Sequence, residues 1–250
     1  MHTKSDYVKP SKNRNLQALR FIFFSVVLQG CSIAFITYAN IGTTPISSTN
    51  FVLSLHTPYT LGDTTFIFNI LLILLQLMLI LMGEEKLKDH YVKLIIQIPV
   101  CVVFSFMIDL STDLLTLVLP ENVTYALSWG LVIFGTFLLA LAVSLSVTAN
   151  VAMVPGEYFI KLFHPLVHKT FSFVKTFFDI FLVSTAVLLS LFLTHFGAVE
   201  GVREGTLYAA LLTGPTVHLL LPLCAKLNPL LNGTSFEGVE DNKNVKEDEK

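Results

Sequence analysis

Six apolar runs, each long enough to cross a bilayer, constrain this chain more than any other feature of its sequence. They lie at Arg20–Ala39, Thr64–Met82, Tyr91–Leu110, Tyr125–Thr148, Phe171–Leu193 and Thr206–Cys224. An apolar helix of roughly 20 residues spans the hydrocarbon core. In lipid every backbone N–H and C=O must be bonded within the protein, so runs of this length read as helices. The composition agrees: 53% of the 250 residues are hydrophobic and 14% are charged, against about 25% charged in average soluble domains. The third run resumes at Leu114–Leu119 before Pro120, so it is either a short span or one tilted helix of about 26 residues. The expected fold is an all-α membrane protein with about six transmembrane helices. Residues 1–19 form a polar lead, 20–225 the transmembrane domain and 226–250 a polar, disordered tail. The first run is long enough to read as a span, and no cleaved signal peptide is expected.

Basic residues orient the runs, because cytoplasmic loops are enriched in Lys and Arg. With six spans, 15 of the 16 basic residues fall on or near one side. The connections at 40–63 and 111–124 contain none, and Arg203 alone lies on the other side. Both termini are therefore expected in the cytoplasm.

A displacement of 110 residues aligns the two halves of the chain without a gap between residues 30 and 82. Ala39-Asn40 falls on Ala149-Asn150, Pro45 on Pro155, and Phe68-Asn69-Ile70 on Phe178-Asp179-Ile180. Nine positions in that window are identical; the gap-free Ala-Asn-x4-Pro register is less easily met by chance than apolar matches. Each half, about 20–110 and 125–224, holds three spans. An odd number inverts the second half, the inverted-topology repeat common in secondary transporters.

Each half is broken after its first span by a polar stretch and a short apolar segment, Pro45–His56 and Pro155–Phe163. Proline favours the first position of a helix, and Thr44 stands where an N-cap would. Two readings remain open. The segments are interfacial helices lying flat, with Phe159, Leu162, Phe163 and Leu166 on one face. Alternatively they are re-entrant, broken helices whose N-termini point into the membrane and suit an anionic group. On the second reading Asn40, Thr44, Ser47, Asn150 and Glu157 are substrate-binding candidates, joined by Arg203, whose guanidinium forks onto carboxylate or phosphate.

Intramembrane ionisable residues are functional candidates by default. Glu157, Asp179 and Asp109 are the candidates for proton or ion coupling. Glu157 reads equally as an acid stabilised by the helix dipole, and Asp179 as the i,i+4 ion-pair partner of Lys175. Arg203 reads equally as a partner of Glu200 or Glu204. His218 is expected to be a buried, hydrogen-bonded side chain. Ala140, Ala142, Ser144 and Ser146 read first as helix-packing residues. Cys31, Cys101 and Cys224 lie in apolar runs without C-x-x-C spacing, and no metal site or cofactor is expected.

The stretches Ala39-Asn40-Ile41-Gly42-Thr43-Thr44-Pro45-Ile46-Ser47-Ser48, Leu61-Gly62, Pro155-Gly156-Glu157, Gly201-Val202-Arg203-Glu204-Gly205-Thr206 and Gly214-Pro215, with Asp109, resemble the bacterial YczE/YyaS/YitT-type membrane proteins over roughly residues 14–225. The resemblance implies a multi-pass protein of the bacterial inner membrane and carries no substrate with it.

The leading functional expectation is a secondary transporter or channel for a small polar solute, an anion being one candidate. The alternatives are a non-catalytic scaffold or accessory protein and a membrane-embedded enzyme. Against the enzyme, there is no H-E-x-x-H, no G-x-S-x-G and no Cys/His cluster. The lipid bilayer and a small-molecule solute are the expected partners; a homodimer stays open and nucleic acid is not expected. The topology is testable with single cysteines in a Cys-free background. Cysteines near Asp63 and Glu121 should react with an impermeant thiol reagent from outside, and those near Lys88 and Lys169 only after the membrane is opened. Labelling at Glu121 from the cytoplasmic side would contradict the topology.

Overall fold

Local signals set the ends of the helices. The computed structural model describes residues 12–83, 87–120, 123–149, 154–169 and 171–225. Among them are eight α-helices: α1 (Lys12–Tyr38), α2 (Pro45–His56), α3 (Leu61–Met82), α4 (Leu87–Val118), α5 (Tyr125–Ala149), α6 (Pro155–Leu166), α7 (Phe171–Leu193) and α8 (Glu204–Ala225). Proline opens both α2 and α6, where its missing N–H costs nothing. Thr60 and Asp63 close a capping box on α3, satisfying two otherwise free N–H groups. The third apolar run is one helix, α4, which passes through Pro99 without ending. The first helix already begins at Lys12, ahead of the apolar run itself.

Six of these helices, α1, α3, α4, α5, α7 and α8, are long and apolar enough to cross a membrane. The chain is an all-helical integral membrane protein. Helices α2 and α6 have 12 residues each and are too short to cross. The end of the bundle where α1 begins is here the basic end, after Lys93, Lys169 and Lys175; the opposite end is the far end.

At the centre α1 lies antiparallel against α5. Ser25 donates its hydroxyl to the Ala142 carbonyl at 2.7 Å. One face further along, a Cβ on Gly135 would stand 3.0 Å from the Ser32 carbonyl and 2.6 Å from Ile36 Cγ1. Displacing Ser25 by 110 gives Gly135, and displacing Ser32 gives Ala142, so these two contacts are the same contact with the halves exchanged. The other packing follows suit. Helix α4 lies on α1, with Met107 against Gly30; α8 lies on α5, with Ser144 donating to the Val217 carbonyl at 3.4 Å. Val217 is Met107 displaced by 110. Likewise α2 lies on α7 and α6 on α3. One pair breaks the pattern: α3 packs closely on α4, whereas α7 and α8 make little contact.

Small side chains permit this close approach, as membrane helices require. Ala140, Ala142, Ser144 and Ser146 are all buried, in keeping with a packing role. His218, expected to be buried, is exposed on α8. Helix α8 packs mainly on α5, and its little contact with α7 leaves much of the helix uncovered.

Two glycines on α5 separate packing from helix propensity. Gly135→Leu should destabilise the protein by about 1–3 kcal/mol, the usual cost of overpacking. Gly130→Leu, where a Cβ meets nothing within 4 Å, should not lower the melting temperature. Thermal unfolding of both variants in detergent checks this; equal melting temperatures would contradict it.

Candidate functional site

The two short helices start at the middle of the bundle and leave it in opposite directions. Thr49 on α2 donates to the carbonyl of Leu182, halfway along α7, at 3.1 Å. From there α2 rises to the far end, where His56 Nε2 lies 3.1 Å from a carboxylate oxygen of Glu200. Helix α6 starts beside Leu72, halfway along α3. It descends to the basic end, where the Tyr158 hydroxyl and His90 Nδ1 are 2.6 Å apart. The starts of α2 and α6 touch: a Cβ on Gly156 would overlap Ile46 Cδ1. Ile46 and Gly156 are equivalent in the 110-residue register, so the contact joins the same position of each half. A side chain at Gly156 would have to displace the tip of the Ile46 side chain, so the absence of a Cβ there lets the two helix starts sit in direct contact.

Neither helix start has a side-chain cap. Thr44 occupies the N-cap position of α2, yet its hydroxyl oxygen is buried and unpartnered. Ser47, one residue on from Ile46, is 2% exposed. Pro45 and Pro155 carry no N–H, and the N–H groups of Ser47 and Glu157 donate back to the Thr44 and Val154 carbonyls at 3.0 Å, so Ile46 and Gly156 supply the remaining first-turn donors where the two partly positive helix ends converge.

Glu157 follows Gly156 on α6. Part of its surface stays open, yet surrounding protein raises its carboxyl from an ordinary 4.5 to about 7 by burial, partly offset by the Lys175 ammonium. Lys175 itself is held by Asp179, with Nζ 2.5 and 2.6 Å from the two carboxylate oxygens. The i,i+4 ion pair read from the sequence is therefore present, with Glu157 in its field. Lys93 lies over the Tyr158 ring, 5.7 Å from its centroid.

Facing these ends, α3 presents Thr65, Asn69, Leu72, Gln76 and Ile80 on one buried face. Gln76 donates Nε2 to the carbonyl of Pro155, the first residue of α6, at 2.9 Å. Its Oε1, Asn69 Nδ2 and Thr65 Oγ1 are buried without partners. In the 110-residue register Thr65 and Asn69 are the neutral counterparts of Lys175 and Asp179, while Gln76 belongs to no sequence motif. Their spacing along a single helical face was the signal available.

The remaining candidates lie elsewhere. Asn40 is exposed and in the left-handed region, with φ 55°. Its carbonyl accepts from Arg203 Nη1 at 3.2 Å, and Arg203 Nη2 lies 3.4 Å from Glu204. Together they border an open cleft of about 220 Å³ with Val123, Tyr125 and Ser128. Gly42, at φ +124°, lets this loop lie directly on the start of α8, where Thr43 N–H donates to Thr206 Oγ1 at 3.0 Å. Asp109 accepts from the Thr60 hydroxyl at 2.7 Å and the Gly62 N–H at 2.8 Å, so it ties α4 to the start of α3. Asn150 lies outside the described residues. The structure thus brings Thr44, Ser47 and Glu157 to the middle, and Asn40 and Arg203 to the far end.

No curated protein and no solved structure matches the chain. A family model, described as a family of unknown function, DUF6198, matches residues 16–222. The resemblance described above implied an uncharacterised family; the comparisons do not connect this one to the YczE/YyaS/YitT-type proteins. The match takes in all six crossing helices and both short ones, and on that extent the chain belongs to the DUF6198 family.

Proposed function

We propose that this chain is a proton-coupled secondary transporter for a small organic anion, built as two inverted three-span repeats in a bacterial inner membrane. On this reading the basic end faces the cytoplasm. The antiparallel contact of the equivalent helices α1 and α5 supports a two-fold axis perpendicular to both, hence in the membrane plane. The self-contact of Ile46 with Gly156 lies on that same axis. Points on an in-plane axis through the middle of the spans sit at mid-membrane, which supports the re-entrant reading of the short helices over the interfacial one.

The observation that carries the proposal is the meeting of two uncapped helix starts beside Glu157. Two positive dipole ends in a low-dielectric setting favour one negative charge. An ionised Glu157 supplies that charge when the site is empty. A solute anion would add a second negative charge close by, which is costly out of water. The solute therefore binds best when Glu157 is protonated, and anion and proton travel together. Alternating access would then rock one repeat against the other around the fixed site. Arg203, near the far mouth, would draw anions in.

The sign of the pH dependence follows from the raised carboxyl. Below about pH 7 Glu157 is neutral and the site accepts an anion; above it the carboxylate competes. A panel of small organic anions first identifies a ligand by thermal stabilisation, which reaches about 2.7 kcal/mol at 100 times Kd. Wild-type affinity for that anion should fall by up to about tenfold per pH unit above the Glu157 pKa. Glu157→Gln should bind with no such slope, and in proteoliposomes it should lose uptake driven by a proton gradient. A flat wild-type profile between pH 5.5 and 8.5, or an unchanged slope in the variant, would contradict the coupling.

A further inference from the structure

We infer that Gln76 and Asn69 read a hydrogen-bonding substituent on the solute, so that the ligand is a small carboxylate carrying a hydroxyl or amino group. This rests on the anion site proposed above and names its substrate class. Gln76 is fully buried and Asn69 is 3% exposed. The orientation of the Gln76 amide is fixed by chemistry, because only its nitrogen can donate to the Pro155 carbonyl. Its Oε1 is left as a buried acceptor without a donor, and Asn69 Nδ2 is a buried donor without an acceptor. The two amides bracket Leu72, the α3 residue beside Gly156. They therefore stand on the wall that faces the start of α6.

Buried polar groups in proteins are nearly always paired, and an orphaned one calls for an explanation. Within the described residues neither atom has a side chain or backbone group to bond. An ionised carboxylate offers acceptors only. It can be held by helix N–H groups and by Asn69 Nδ2, but it cannot satisfy Gln76 Oε1. A hydroxyl or ammonium on the same molecule can. A site with a buried acceptor of this kind discriminates strongly against analogues that lack the donor, because they leave the acceptor unpaired.

The test measures stabilisation and affinity of the purified full-length protein for matched carboxylates. Three- and four-carbon acids are compared in unsubstituted, 2-hydroxy and 2-amino form. At least one substituted acid should bind about tenfold tighter than its unsubstituted parent, the worth of one good hydrogen bond in a buried site. Gln76→Leu should erase that difference between substituted acid and parent. Because Gln76 also anchors Pro155, Asn69→Leu serves as a second variant: Asn69 Nδ2 has no hydrogen-bond partner among the described residues, and the substitution should weaken binding of the preferred acid about tenfold. Equal affinities within every matched set would overturn the inference and leave the anion site standing; water alone would then fill the place beside Gln76. A preference that survives both variants would overturn it equally. No binding by any carboxylate would overturn both the inference and the carboxylate site on which it rests.

Discussion

A backbone that stops being helical among packed helices must find its hydrogen bonds within the protein, and the rest of this structure depends on that constraint. Two breaks occur, one before α2 and one before α6. Ordinary spanning helices surround their helix starts: α3 and α7 flank them, and Gln76 bonds the first carbonyl of α6 directly. The starts of α2 and α6 then cover each other at Ile46 and Gly156. Two partly positive helix ends therefore meet in the middle of the bundle.

The α1–α5 pair supplies the rigid part. Its close approach needs small side chains at the crossing, which Gly135 and Ala142 provide. The same pair carries α4 on one side and α8 on the other. Against this frame α7 is the loosely held member, packed on α2 and α6 but scarcely on α8. The break in the pattern puts Lys175 and Asp179 on the less constrained wall, while their neutral counterparts Thr65 and Asn69 stand on the well-packed one. Charge therefore stands on the looser wall, in one half of the chain, and the orphaned amides on the tighter wall, in the other.

Much of the architecture was legible in the sequence because hydrophobic length is a strong signal in lipid. All six spans, both proline-led short helices and the 110-residue register could be read from residue types alone. The register transfers α2 onto α6 with the same bounds. The polar face of α3 was not legible in the same way. Thr65, Asn69 and Gln76 sit in the most apolar of the spans, with mean hydropathy 2.6, where three polar residues read as scatter until burial shows that they share a face. The pairing of Asn40 with Arg203 joins residues 163 positions apart, a distance over which no local pattern speaks. Asp109 was readable as an intramembrane acid, but its use at the start of α3 depends on how closely α4 approaches Gly62.

The central claim is that the starts of α2 and α6 meet in the middle of the bundle. Cross-linking tests it most directly, with Ile46→Cys and Gly156→Cys placed together in a background lacking Cys31, Cys101 and Cys224. The paired cysteines should be joined efficiently by a short bifunctional thiol reagent in native membranes, with the linked peptides identified by mass spectrometry. Absence of that link, under conditions where Ser25→Cys and Ala142→Cys are joined readily, would contradict the account.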